Sequence, residues 1–272
     1  MEACLGVRND QASKADPQLV CEKNVVGQKW PNKPSRPAGG ERERFTLVCK
    51  DLCRYTLEKT EDVKMSKVLL LNGSAHQHGC TATALDEMIR VFDAEGIETE
   101  LIQVGSKGIR GCIACNKCGE TGRCVFDDLV NEVAPKFEAA DGLVIGSPVY
   151  YASPNGNLIA FLDRLFYSTH YSKHMKVGAA VVSCRRGGNT ASFDVLNKYF
   201  TISSMPVASS TYWNQVHGFS AEDVKKDLEG LQTMRNLARN MSFMIRAIAD
   251  AKEKYGYPEL EKDSFTSFPD GK

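Results

Sequence analysis

From Lys67 onward two hydrophobic periods alternate along the chain. KVLLLN (67–72) is a continuous apolar run, as expected for a strand buried on both faces. TATALDEMIRVFDAEG (81–96) sets Leu85, Met88, Ile89 and Phe92 at helical spacing, with Gly96 as its C-terminal cap. IETELIQV (97–104) alternates like a second strand. FDDLVNEVAPKFEAAD (126–141) reads as a helix capped by Asp127 or Asp128, and Pro135 marks a kink or a late start. GLVIGS (142–147) is a third strand, and GNLIAFLDRLFY (156–167) a helix with Leu158, Ile159, Leu162 and Leu165 inward. MKVGAAVVS (175–183) is a fourth strand, TASFDVLNKYFTIS (190–203) a helix and MPVASS (205–210) a short fifth strand. Residues 221–256 form one long helix or two joined near Gly230. This alternation predicts an α/β fold of three layers, a parallel sheet with helices on both faces.

Residues 1–64 break the pattern. KWPNKPSRPAGGERER is rich in Pro, Gly and charge and keeps no period of 2 or 3.6, which predicts a poorly ordered segment. Only FTLVCKDLCRYTL (45–57) is apolar enough for a local strand or helical turn. We expect Met65 to be the translation start, with 1–64 an upstream extension of the reading frame. Glu61-Asp62 is compatible with purine-rich GAG-GAC codons just before that Met. The rival expectation is a tail that docks or targets.

Lys+Arg and Asp+Glu are both 34, so no basic excess points to nucleic acid. No apolar run approaches the ~20 residues of a membrane span. The first residues carry no stretch of signal-peptide type. We therefore expect a cytoplasmic protein whose ten cysteines are thiols, metal ligands or redox groups rather than a disulfide framework.

Ligands of open α/β sheets sit beyond the carboxyl ends of the strands. After the first strand, NGSAHQHGCTAT (72–83) leads into a helix N-terminus. Its backbone N–H groups and the hydroxyls of Ser74, Thr81 and Thr83 suit a phosphate, with His76 and His78 nearby. It is neither G-x-G-x-x-G nor a P-loop, and the alternative is an ordinary capping turn. After the third strand, SPVYYASPNGN (147–157) is stiffened by prolines and offers Tyr150 and Tyr151 as flat faces. These suit a flat heterocycle; otherwise they cover the sheet edge. SCRRGGNT (183–190) offers Arg185 and Arg186 for a phosphate, or two solvated side chains. TYWNQVHG (211–218) brings Tyr212, Trp213 and His217 near the same edge, with no role assigned to His217.

GCIACNKCGETGRC (111–124) spaces Cys112, Cys115, Cys118 and Cys124 as C-x2-C-x2-C-x5-C. C-x2-C-x2-C is the core of bacterial ferredoxin runs, so one segment offers four thiolates for a [4Fe-4S] cluster. Zinc usually takes two separated C-x2-C pairs, absent here. Structural or redox thiols remain the main alternative. Cys80 and Cys184 read as small buried residues.

NGSAHQHGCTATAL resembles the FMN-phosphate loop of flavodoxin-like NAD(P)H-dependent FMN reductases, usually G-S-x-R-x-x-G-N-T, with His76 in the Arg place and Cys80 in the Asn place. GSPVYYASPNGNLIAFLDRLF resembles that family's second flavin loop and following helix. The cysteine run stands where iron–sulfur flavoproteins of the same superfamily carry their cluster motif. The resemblance covers roughly residues 66–250 and implies a five-stranded parallel sheet of order 2-1-3-4-5. It implies FMN phosphate on Ser74, His76, Cys80, Thr81 and Ala82, and the ring against Pro148, Val149, Tyr150 and Tyr151. The loop beginning at Ser183 and Arg185 would pass the ring's other end. It also implies a homodimer or homotetramer.

The expected chemistry is hydride transfer from NAD(P)H through FMN to a quinone, nitro or azo compound, another flavin or a redox protein. No catalytic side chain is required. With a cluster, single electrons would pass to a protein partner. A non-enzymatic flavodoxin-like carrier is a third reading, disfavoured by the neutral charge balance.

Overall fold

The computed structural model describes residues 65–261 and Ser264, and the expectations for residues 1–64 lie outside them. The elements follow as β1 (Lys67–Asn72), α1 (Cys80–Ala94), β2 (Glu98–Gln103), α2 (Cys118–Thr121), α3 (Leu129–Ala139), β3 (Gly142–Tyr150) and β4 (Ser153–Pro154). Then come α4 (Gly156–Ser168), β5 (Val177–Cys184), α5 (Asn189–Ile202), β6 (Gln215–His217), α6 (Ala221–Val224) and α7 (Leu228–Tyr255).

The strands line up as β2-β1-β3-β5-β6, all parallel, and the two-residue β4 pairs antiparallel with β3. Counting the parallel strands alone, this is the flavodoxin-like order 2-1-3-4-5. The sheet therefore has six strands, one more than expected. Strand order reverses between β1 and β3, which opens a crevice at their carboxyl ends.

Strand residues point alternately to the two faces, and both faces are dry. Val68 and Leu70 of β1 join a core with Leu85, Met88 and Phe92 of α1 and Met234, Leu237 and Met241 of α7. Leu69 and Leu71 join the opposite core with Phe137 of α3, Phe161 and Leu162 of α4 and Phe200 of α5. Each such side chain, fully buried, contributes about 1.5–3 kcal/mol. Helix α1 ends as its sequence predicts. Gly96 takes φ 70°, its N–H donates to the Asp93 carbonyl, and the Ile97 N–H donates to the Phe92 carbonyl.

One expectation needs correction, and two that hold are sharpened. The expected strand 205–210 is reduced to one bridge, Val207 to Gly178, and the fifth parallel strand is β6, within the stretch expected to be a loop. Four steps along β5 (Gly178 to Val182) match eight along the edge segment (Val207 to Gln215), so residues between leave the ladder. Edge strands tolerate this because one side needs no partner. Helix α3 starts at Leu129, after Asp128, whose side chain accepts from the Val130 N–H; Pro135 lies inside it. The C-terminal helix breaks at residues 225–227, before Gly230, where Asp227 caps α7 through the Gly230 N–H.

Candidate functional site

Strand β1 delivers the loop 73–79 to the carboxyl edge, and a polar net holds the loop's first turn. The Asn72 side-chain oxygen accepts from the Ser74 N–H at 3.0 Å, and its Nδ2 donates to Gln103 at 2.8 Å. Gln103 donates in turn to the Ser74 carbonyl at 2.6 Å, and Ser74 Oγ accepts from the His76 N–H at 3.1 Å. On the other side, Asn155 donates to the Gly73 carbonyl at 2.8 Å while its own N–H donates to Ser147 Oγ at 3.0 Å. Gly105, after β2, packs so close that a Cβ there would collide with the Gly73 carbonyl oxygen.

Beyond this net lies an uncapped helix. Gly79 precedes α1 and offers no side-chain cap. The N–H groups of Cys80, Thr81 and Ala82 therefore have no acceptor inside the helix. With the positive end of the helix dipole, they form an anion site.

The other expected loops converge on this point. Thr81 Oγ1 and Ser183 Oγ, both buried, share a hydrogen bond of 2.8 Å, joining α1 to the end of β5. Tyr151 and Ala152 turn β3 into β4 with φ of 51° and 58°, as in a two-residue type I′ turn. Non-glycine side chains rarely adopt that region, and such strain gathers at functional sites. Gly188, with φ 86°, abuts this turn: a Cβ there would lie 2.8 Å from Ala152 Cα. Only glycine supplies that φ and that space.

Within this frame Ser74, Thr81, Ala82 and Ser183 are buried, Cys80, Pro148 and Val149 half-buried, and His76, Tyr150 and Arg185 exposed. Tyr151 is fully exposed. Burial pushes the Cys80 and Cys184 thiols up from their ordinary range, so both are neutral. The Cys80 thiol donates to the Gly218 carbonyl at 3.6 Å. The side chains of His76 and Arg185 form no hydrogen bond or ion pair among the described residues, which leaves both free to meet an anion.

The cysteine loop follows β2, as expected. Cys112 and Cys115 are exposed, Cys124 is half-buried and Cys118, at the start of α2, is buried; all are free thiols. Ala114 and Asn116 take positive φ, 51° and 57°. The four line one cavity of about 20 Å3, room for little more than one water.

Behind that cavity stands Arg164 of α4, 1% exposed. Its guanidinium forks onto Asp128 at 2.7 and 2.9 Å, donates to Cys124 Sγ at 3.2 Å, and reaches the carbonyls of Arg110 at 3.1 Å and Phe126 at 3.3 Å. Burial works against its charge, but Asp128 and Cys124 outweigh that and raise its affinity for the proton. Asn131 adds two bonds to Cys124 and one to Phe126, all at 3.0 Å.

Sequence reading missed Arg164, Asn155 and Gln103. Arg164 had a signal: it follows Phe161 by three residues on the inward face of α4, where an arginine needs partners. Asn155 had a weaker one, as an asparagine just before α4, where its side-chain oxygen accepts from the Asn157 N–H. Gln103 had none, because Asn72 and the Ser74 carbonyl come within its reach only on folding.

Two groups can be tested against this chemistry. A phosphate-bearing flavin fits, since unpaired helix N–H groups and hydroxyls meet a loop with exposed aromatic faces. For an iron–sulfur cluster the donor set fits, four thiols of one loop around one cavity. Among the described residues, however, no three His, Cys, Asp or Glu side chains are placed to hold a metal ion. Also among them, no helix is long and apolar enough to cross a membrane.

Comparison with known proteins points the same way. Residues 66–219 match the family model described as NADPH-dependent FMN reductase. An iron–sulfur flavoprotein of Methanocaldococcus jannaschii is 33% identical over 190 residues, 67% of this chain and 98% of that protein. An iron–sulfur flavoprotein of Methanosarcina thermophila is 26% identical over 192 residues, 69% of this chain and 100% of that one. Among solved structures, RosB with bound 8-demethyl-8-formylriboflavin-5'-phosphate superposes with TM-score 0.56 at 16% identity, covering 75% of this chain and 93% of that one. A flavone reductase gives 0.52 at 16%, covering 68% and 65%. At such identities the superpositions speak for the fold.

Proposed function

We propose that this chain, which belongs to the NADPH-dependent FMN reductase family, is an FMN-dependent oxidoreductase that draws electrons from NAD(P)H and has a second redox site at its four-cysteine loop. The observation that carries the reading is the uncapped start of α1, joined through Thr81 to Ser183 at the switch between β1 and β3. FMN, when bound, supplies hydride transfer, and an iron–sulfur cluster, when bound, supplies one-electron transfer.

The protein's part is placement. Backbone N–H groups of Cys80, Thr81 and Ala82 and the Ser74 hydroxyl bind the phosphate, and the positive helix end offsets its charge. His76 and Arg185, both exposed, close on the anion or on the nucleotide of NAD(P)H. Pro148, Val149, Tyr150 and Tyr151 orient the ring and exclude water from its covered side. The neutral Cys80 thiol adds no anionic charge beside the phosphate. Cys112, Cys115, Cys118 and Cys124 would hold the cluster, and the names of the relatives support that reading.

One observation favours a second reading. Since the described residues place no three ligands for a metal, the same loop suits four free thiols, in a two-electron reductase of small acceptors such as quinones or nitro compounds. One experiment separates these: an ultraviolet–visible spectrum with FMN and iron quantitation, followed by anaerobic addition of NADH or NADPH. The first reading expects bound FMN, about four iron per chain and bleaching by a nicotinamide. Bleaching without iron selects the second. Flavin-loaded protein that neither nicotinamide reduces rejects both.

A further inference from the structure

Arg164 spends all five of its N–H donors on one short stretch of chain. Nε donates to Cys124 Sγ, Nη1 to the Arg110 carbonyl and Asp128, and Nη2 to the Phe126 carbonyl and Asp128. Arginine has no further donor. These acceptors bracket the cysteine loop: Arg110 lies just before Cys112, and Cys124, Phe126 and Asp128 end it. The Phe126 ring lies beneath the guanidinium, 5.0 Å from centroid to carbon. Among the described residues, Arg164 is also the one charged side chain lining the cavity shared by the four cysteines. A buried arginine so placed does two things. It fixes both ends of a loop that has little other structure. It also sets a positive charge and one N–H against a sulfur.

We propose that Arg164 is a positioning residue for the four-cysteine site, clamping the loop ends and setting the redox potential there through its bond to the Cys124 sulfur. The proposal rests on the reading of Cys112, Cys115, Cys118 and Cys124 as a cluster site. Hydrogen bonds to sulfur and net local charge tune cluster potentials. Reduction adds negative charge, so a cation and a donor at one sulfur favour the reduced form and raise the potential. Partners outside the ligand set also govern retention, and their loss typically costs 10–100-fold in metal affinity.

The test uses the full chain, loaded anaerobically with ferrous iron and sulfide. Wild type is compared with Arg164→Lys and with the double variant Arg164→Met/Asp128→Asn. The latter leaves no unpaired carboxylate and retains a helix-capping side chain at 128. FMN per chain monitors the fold. The readouts are iron lost to a chelator, the electron paramagnetic resonance spectrum after dithionite reduction, and the cluster midpoint potential. The double variant is expected to keep its FMN, lose iron at least about tenfold more readily, and titrate at a lower potential with an altered spectrum. Arg164→Lys, which keeps the charge but not the fork, should fall between. Unchanged retention, spectrum and potential in both variants overturn the proposal alone. Should the double variant lose its FMN, Arg164→Lys decides on the same readouts. A wild type that takes up no iron overturns the cluster reading and the proposal with it, a result visible before any variant is made.

Discussion

The loops that leave β1 and β2 begin side by side on one sheet edge, yet they are held in opposite ways. The first is tied to its neighbours from both sides. Asn72, Gln103 and Asn155 hold its opening residues, and Thr81 is bonded to Ser183 across the crevice. The second, from Gly111 to Arg123, lies mostly in solvent and passes three times through positive φ, at Ala114, Asn116 and Gly122. Its firm anchors are Arg164 and Asn131, at its two ends. The first loop is organised by the sheet before any ligand arrives, as expected for a site that must orient a ring and a phosphate. The second is organised at its ends by Arg164 and Asn131 and leaves Cys112 and Cys115 exposed between them. Preorganisation here follows how many bonds a loop makes to rigid elements, not its distance from the core.

The contrast can be broken most strongly at Gly188. Gly188→Val forces a side chain onto the Ala152 turn at a left-handed φ. It should cost roughly 3 kcal/mol of FMN binding, about 100-fold in affinity by flavin fluorescence titration. An unchanged affinity would mean that the turn does not shape the flavin site.

Next comes Arg164→Met alone. It strands the Asp128 carboxylate, and should lower unfolding free energy by about 3 kcal/mol in denaturant titrations. That value is the low end for a broken buried pair, because Asp128 remains partly solvated. FMN affinity should move by less than about threefold if the two loops are independent, as expected for separated sites. A matching loss of flavin would show that they are coupled.

Thr81→Val removes one buried hydroxyl and leaves Ser183 without its partner. About 1 kcal/mol, near fivefold in FMN affinity, is expected from the same titration.

The smallest effect lies outside both loops and serves as the control. Lys136, helped by Lys67 and opposed by burial, holds the Glu100 carboxyl below the usual carboxylate range. Its contribution is complete above the unfolded value of about 4.3 and is lost as pH falls through the depressed folded value. Glu100→Gln should therefore remove less than about 1 kcal/mol at pH 6 and flatten the fall of Tm between about pH 5 and 3. FMN affinity at neutral pH should not change.

Much of this was legible in the chain itself. Apolar runs such as KVLLLN and the helical spacing of Leu85, Met88 and Phe92 report burial directly, because faces that meet a dry core must be apolar whatever else they touch. The weak edge strand was misplaced for the same reason: MPVASS is more apolar than NQVHG, but edge pairing depends on register with β5 more than on composition. At the candidate site, NGSAHQHGCTAT and SPVYYASPN stood out because glycine, proline and hydroxyl side chains announce unusual backbone and free donors.

What the sequence determined by itself, then, is the alternation of strands and helices, the loops at the carboxyl edge and the spacing of four cysteines. Each depends on residues near one another along the chain. Only the tertiary structure decided that Thr81 meets Ser183, that Gly188 seats the Tyr151–Ala152 turn, and that Arg164 grips both ends of the cysteine loop. Those are contacts between residues 36 or more apart in sequence. Their partners are set by how the sheet orders its strands, and no local period encodes that order.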